Sequence, residues 1–146
     1  MNYFDVDGGR RKNELKIILY NIRSVRQNLR EFLAELAYTG VEPSVIVLTE
    51  VWIYSHEAQA YGIDGYTMYH NCQEKNAVGG VMIFVKQDIK SLKLFNYSHN
   101  VDVCAVEICT GNTRICLLGG YRSPTQMVSN TKEFIEHDLD TIFGKI

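Results

Sequence analysis

The chain has 146 residues, 46% of them apolar and 22% charged, with two prolines and a net charge of −2. These values fit one folded domain with a substantial core and exclude long disorder, low complexity and nucleic-acid binding by bulk charge alone. The longest apolar runs are strand-sized, too short to cross a membrane as a helix.

Residues 1–14 read as a flexible polar tail without the apolar core of a signal peptide. The basic end of this tail, Arg10-Arg11-Lys12, is a weak signal for phosphate contact. Residues 15–146 read as the folded domain. Its first strand, residues 15–20, ends at Asn21. A helix is expected over residues 25–38, because Val25, Leu29, Phe32, Leu33 and Leu36 recur at helical spacing. Ser24 with Gln27 has the capping-box pattern, and Gly40 and Pro43 stop the helix. A wholly apolar strand, residues 45–49, ends at Glu50. A long connection over residues 51–65 carries Trp52, Tyr54, His56 and Tyr61, and loops of that length are often functional. Further strands are expected at 66–70, 79–86, 91–95, 101–109 and 114–121. Thr110-Gly111-Asn112-Thr113 is a hairpin signal between the last two. A final helix starts near Ser129 or Asn130, with Asn130 and Glu133 as a capping pair. Its apolar stripe is Phe134, Ile135, Leu139, Ile142 and Phe143. The fold class is therefore α/β, with a mixed β-sheet and two helices on one face.

The four cysteines, Cys72, Cys104, Cys109 and Cys116, have no C-x-x-C spacing, which argues against zinc. They read as free thiols, which points to an intracellular protein, nuclear or cytoplasmic. There is no P-loop and no G-x-G-x-x-G. The histidines, His56, His70, His99 and His137, are scattered.

The candidate chemistry lies at strand ends. A strand, a helix and a second strand of this kind make a parallel unit, so Asn21 and Glu50 finish side by side at the carboxyl edge. Open α/β sheets bind ligands at that edge. A carboxylate ending a buried strand is costly unless something compensates it, and magnesium would do so with water and phosphate as further ligands. The other reading of Glu50 is a turn cap or an arginine partner. Asn21 either orients a phosphate oxygen, holds Glu50, or simply ends the strand. Tyr121 follows Gly119-Gly120, a pair of glycines that lets another backbone or a ligand approach. It is either a hydrogen-bond donor to phosphate or a half-buried rim tyrosine, and Arg122 beside it is a candidate phosphate partner. Arg23, Arg26 and Arg30 line one face of the first helix. They are either solvated or, for Arg23 and Arg26, placed to meet phosphate.

Four segments in order, LYNIRSVRQN (19–28), VIVLTEVWI (45–53), GGVMIFVK (79–86) and LLGGYRSP (117–124), resemble the endonuclease/exonuclease/phosphatase superfamily. The likeness is strongest to the N-terminal half of the endonuclease domain of LINE-type non-LTR retrotransposons, which is related to apurinic endonucleases. The resemblance implies a four-layered α/β sandwich of two packed sheets with helices outside. It also implies magnesium-dependent hydrolysis of nucleic-acid phosphodiester bonds, with DNA as partner. It assigns Glu50 to the metal, Asn21 to phosphate orientation and Tyr121 to the scissile phosphate. Family members of the LINE type nick DNA to prime reverse transcription.

The family's second half carries a Gly-Asp-Phe-Asn segment and an Asp and His pair that activates water. Neither has a counterpart here, and Asp138 and Asp140 fall on the helix before that segment. The expectation is a truncated domain with an incomplete magnesium site, weak or inactive alone. The alternatives are a catalytically dead binding or scaffold protein, or another superfamily phosphodiesterase or phosphatase. With the second sheet assigned to the absent half, one face of the first sheet is expected to be bare and to pair with a second copy as a homodimer.

Overall fold

A computed structural model describes the backbone of residues 2–5, and residues 14–125 and 130–146 in full. Arg10-Arg11-Lys12 and Ser129 lie outside the described residues. Strands β1 (Asn2–Asp5), β2 (Lys16–Asn21), β3 (Val45–Thr49), β4 (Tyr66–Asn71) and β5 (Val81–Lys86) form one mixed sheet in the order β1-β2-β3-β5-β4. β2 and β3 are parallel, with Asn21 opposite Thr49, and the other pairings are antiparallel. The tail expected over residues 1–14 does not extend to Asn2–Asp5, which pair with β2 as an edge strand.

Helix α1 (Val25–Thr39) connects β2 to β3. Its Val25, Phe32 and Leu36 are buried against Ile18, Ile46, Leu48, Met82 and Phe84 on one face of the sheet. Gly40 ends it in the left-handed conformation, φ 68°. The start differs from the capping box. Ser24 has φ 91° and its hydroxyl caps nothing. The Ser24 and Val25 amides donate instead to the Glu50 and Val51 carbonyls, at 2.8 and 3.1 Å. The helix entrance is thereby tied to the end of β3. Within the 51–65 connection, a 3-10 helix spans Ser55–Tyr61.

A second sheet is built from β6 (Lys90–Ser98), β7 (Asp102–Thr110) and β8 (Thr113–Tyr121), an antiparallel meander with β7 in the centre. The β7–β8 hairpin turns at Gly111-Asn112 as expected, with Gly111 at φ 56°. β6 is longer than the five residues expected and is bulged between Lys93 and Phe95. Cys104, Val106 and Ile108 of β7 pack with Val45, Val47, Val81, Ile83 and Val85 of the first sheet. Gly119 makes the close approach possible. A Cβ there would stand 2.9 Å from Ile83 Cδ1 and 3.1 Å from Val81 Cγ1.

This packing corrects two expectations. The β-rich run after β5 does not extend the first sheet; it folds over that sheet's free face. The helices therefore lie on opposite outer faces, and the face expected to be bare is covered by the chain's own strands. The argument for a homodimer through that face falls with it.

The last helix, α2 (residues 131–144), is α-helical at Thr131–Glu133 and Leu139–Gly144 and π-helical at Phe134–Asp138. Ile142 is buried against Val101 of the β6–β7 turn and Val103 of β7, with Phe134 beside them. The expected stripe is only partly right, because Ile135 and Phe143 are 57% and 61% exposed. A π turn adds a residue to the repeat and rotates the face that follows. Here it turns Asp138 fully inward. The Asn130 side chain makes no cap and donates to Asn100 Oδ1 at 3.1 Å.

Candidate functional site

The parallel register of β2 and β3 brings Asn21 and Glu50 together. Asn21 Nδ2 donates to Glu50 Oε1 at 2.8 Å. Past these strand ends the backbone leaves the ordinary regions. Arg23, Ser24, Glu50 and Trp52 all have positive φ, at 47°, 91°, 54° and 53°. Such conformations cost on the order of 1–3 kcal/mol per non-glycine residue and cluster where function over-determines the backbone. The surrounding hydrogen bonds hold them. Ile22 donates to the Thr49 carbonyl at 3.0 Å, Ser24 to Glu50 at 2.8 Å and Trp52 to Gly79 at 3.1 Å.

Tyr121, at the end of β8 in the other sheet, hydrogen-bonds Glu50. Burial raises its phenol pKa, the Glu50 hydrogen bond adds to this, Asp102 pushes the same way, and only Arg23 opposes. Tyr121 therefore stays protonated at neutral pH and donates. Three strand ends from two sheets thus converge on one carboxylate, with the Arg23 charge acting on the same phenol.

Arg26 and Arg122 are engaged elsewhere. Arg26 makes a two-pronged ion pair with Glu57 of the 3-10 helix, and the Tyr54 amide donates to Glu57 Oε2 at 2.8 Å. The Arg26 hydrogen bond and then the Tyr54 amide hold the Glu57 carboxyl below its ordinary range. The Arg122 guanidinium lies over the Phe134 ring, 4.4 Å from its centroid, joining the end of β8 to α2. The structure thus brings Arg23 to the Glu50 and Tyr121 cluster and turns the Arg26 and Arg122 charges to structural partners.

Two arrangements were not legible in the sequence. Asp102 accepts from Gln73 Nε2 at 3.2 Å, Ser98 Oγ at 3.0 Å and the Gly80 amide at 3.3 Å, and it borders Gly79 and Tyr121. His99 Nδ1 lies 2.9 Å from Asp138 Oδ1, which also accepts from Tyr97 at 2.5 Å. Burial raises the Asp138 carboxyl, but hydrogen bonds from Tyr97, His99 and Asn100 outweigh it and leave the pKa low. No spacing signal links residues 39 apart, and a π turn leaves no mark in helical periodicity.

The residues that could hold a metal are Glu50, with the amide oxygen of Asn21 and the phenol oxygen of Tyr121 near it. These are hard oxygen donors, suited to magnesium rather than to a soft metal. Among the described residues there is no group of three or more His, Cys, Asp or Glu side chains able to enclose a metal. The donor set fits an ion that keeps most of its water. No described helix is long and apolar enough to cross a membrane.

No protein-family model matches the sequence, and no curated protein sequence matches it either. Solved structures do match. An AP endonuclease, LMAP from Leishmania major, is 19% identical with a TM-score of 0.60, over 88% of this chain and 46% of its own. The endonuclease domain of TRAS1, a telomere-specific non-LTR retrotransposon, is 16% identical with a TM-score of 0.58, over 88% and 53%. TDP2 of D. rerio, solved with a single-strand DNA product, is 14% identical with a TM-score of 0.59, over 90% and 54%. All three belong to the endonuclease/exonuclease/phosphatase superfamily, and the chain shares their fold while spanning about half their length.

Proposed function

We propose that this domain holds a nucleic-acid phosphate at Asn21, Glu50 and Tyr121, and that its chemistry is magnesium-dependent phosphodiester hydrolysis of low efficiency. The observation that carries the reading is the convergence of these three side chains, from three strand ends, beside backbone held at positive φ at Arg23 and Ser24 after β2 and at Glu50 and Trp52 after β3. The fold shared with three nucleic-acid-processing proteins supports the same reading.

Glu50 would carry the magnesium, with water in the remaining positions, and the ion would supply charge to a phosphate oxygen. Asn21 fixes the carboxylate by its 2.8 Å hydrogen bond. The Tyr121 hydroxyl donates toward the same place, and Arg23 contributes a positive charge that acts on that phenol. A positioned general base typically adds about 10²–10⁴-fold in rate. Among the described residues no group of three or more His, Cys, Asp or Glu side chains gathers at this site, so slow turnover is part of the proposal.

The test joins a magnesium titration followed by NMR to a supercoiled-DNA nicking assay. Weak magnesium binding that Glu50→Gln removes, with slow nicking lost in Glu50→Ala, is the expected result. Magnesium binding equal in Glu50→Gln and the parent takes Glu50 out of the site. Rapid nicking that survives Glu50→Ala overturns the mechanism altogether.

A further inference from the structure

A cleft of about 310 Å³ adjoins the phosphate site, and Tyr121 belongs to both. One wall is the loop after β4, with Gln73 and Val78. The second is the β6–β7 turn, with His99, Val101 and Asp102. Its third wall is Tyr121 and the residues just after β8. Gly79 closes the floor at φ 72°, and a Cβ there would stand 2.9 Å from Asp102 Oδ2 and 3.4 Å from the Tyr121 ring. Only a glycine allows the loop to sit this tightly under Tyr121.

The polar groups of the cleft are held in place before any ligand arrives. Asp102 receives three hydrogen bonds from three different segments. The His99 ring is fixed by the fully buried Asp138 carboxylate at 2.9 Å and lies 3.1 Å from the Asn100 amide. Between them are apolar Val78 and Val101 and the aromatic ring of Tyr121. An aromatic wall, apolar side chains and a fixed polar edge suit a nucleobase, which has two apolar faces and a hydrogen-bonding rim. The Asp102 carboxylate repels phosphate and accepts from N–H groups, so the cleft favours the base over the backbone. The volume is at the small end for ligand pockets and cannot admit a duplex.

We propose that this cleft seats one unpaired nucleobase whose neighbouring phosphate lies at Asn21, Glu50 and Tyr121, so that the substrate class is single-stranded or locally unpaired nucleic acid. The proposal rests on the phosphate-site reading above and adds the recognition that selects the strand. A base inside a duplex has its pairing edge occupied and its faces stacked, and does not reach the cleft without being extruded.

The test compares a 10-nucleotide single strand with its duplex by fluorescence anisotropy, in calcium to prevent cleavage. The parent should bind the single strand at least about fivefold tighter than the duplex. Gln73→Ala and Val78→Asp alter exposed cleft positions. They should each lower single-strand affinity by about three- to tenfold and leave duplex affinity within about twofold. Arg23→Ala, at the phosphate site, should lower both. Single-strand titration should move the amide resonances of Gly79, Val101 and Asp102. Equal affinity for the two forms, or cleft variants that leave the strand preference intact, overturns the seat alone. Absence of binding to either form overturns the phosphate-site reading and the seat with it.

Discussion

Glu50 is the residue on which the proposed chemistry turns, and its surroundings explain both its position and its limits. The parallel register supplies Asn21, the second sheet supplies Tyr121, and among the described residues no second carboxylate joins Glu50 in a metal-sized cluster. A single carboxylate leaves most of the magnesium octahedron to water, so Glu50→Gln should abolish an already weak binding isotherm in calorimetry. Asp138 offers a test of a different kind. It is fully buried, and removing it leaves Tyr97 and His99 without their acceptor, so Asp138→Ala should cost about 2–3 kcal/mol at pH 7 in denaturant unfolding. Its folded pKa lies below the unfolded value near 3.9. The stability it contributes is therefore complete above about pH 4 and is lost as pH falls through the folded pKa. Between pH 6 and pH 3 the parent should lose more stability than Asp138→Asn, which has no such proton to take up.

At the scale of elements, the hairpin of β7 and β8 decides the architecture. β7 is buried along most of its length and sits between β6 and β8, so its inner face needs an apolar partner. β3 and β5, buried on both faces, provide it. Gly119 lets the two sheets come together, and a methyl group at that position meets Val81 and Ile83 at three points under 3.3 Å. Gly119→Ala should destabilise the fold by about 1–3 kcal/mol, read by thermal unfolding, while Gly120→Ala, with nothing nearer than 3.6 Å, should cost far less. α2 is attached by a small apolar patch centred on Ile142. Ile142→Ala should cost about 2–5 kcal/mol, with hydrogen exchange in α2 rising before exchange in β3 or β5.

The whole molecule carries a net charge of −2, so any nucleic-acid affinity must come from a few local contacts. With Arg26 and Arg122 engaged by Glu57 and Phe134, few cations among the described residues are left at the proposed phosphate site. The slope of log K against log salt for a single strand should therefore be shallow, about 2 or less in magnitude. A slope several times steeper would place a larger basic surface elsewhere on the molecule.

Local pattern was enough to read most elements and to place Asn21 beside Glu50. Apolar runs marked β2, β3, β5, β7 and β8, helical spacing marked α1, and Gly111-Asn112 marked the hairpin. The same runs identified Asn21 and Glu50, because a strand, helix and strand unit of right-handed connection leaves few choices for where its strand ends fall. Tertiary structure decided the rest. Whether β6, β7 and β8 extend the first sheet or cover it depends on contacts between residues far apart, and the covering arrangement removes the bare face that called for a second copy. Side-chain partners are likewise long-range. Arg26 meets Glu57, Arg122 meets Phe134, Gln73 meets Asp102 and His99 meets Asp138 only after the chain has folded. A sequence records which residues prefer burial and at what period. The identity of the neighbour across a packed interface is set by the geometry of two sheets and one π turn, and it is there that the cleft beside Tyr121 comes into being.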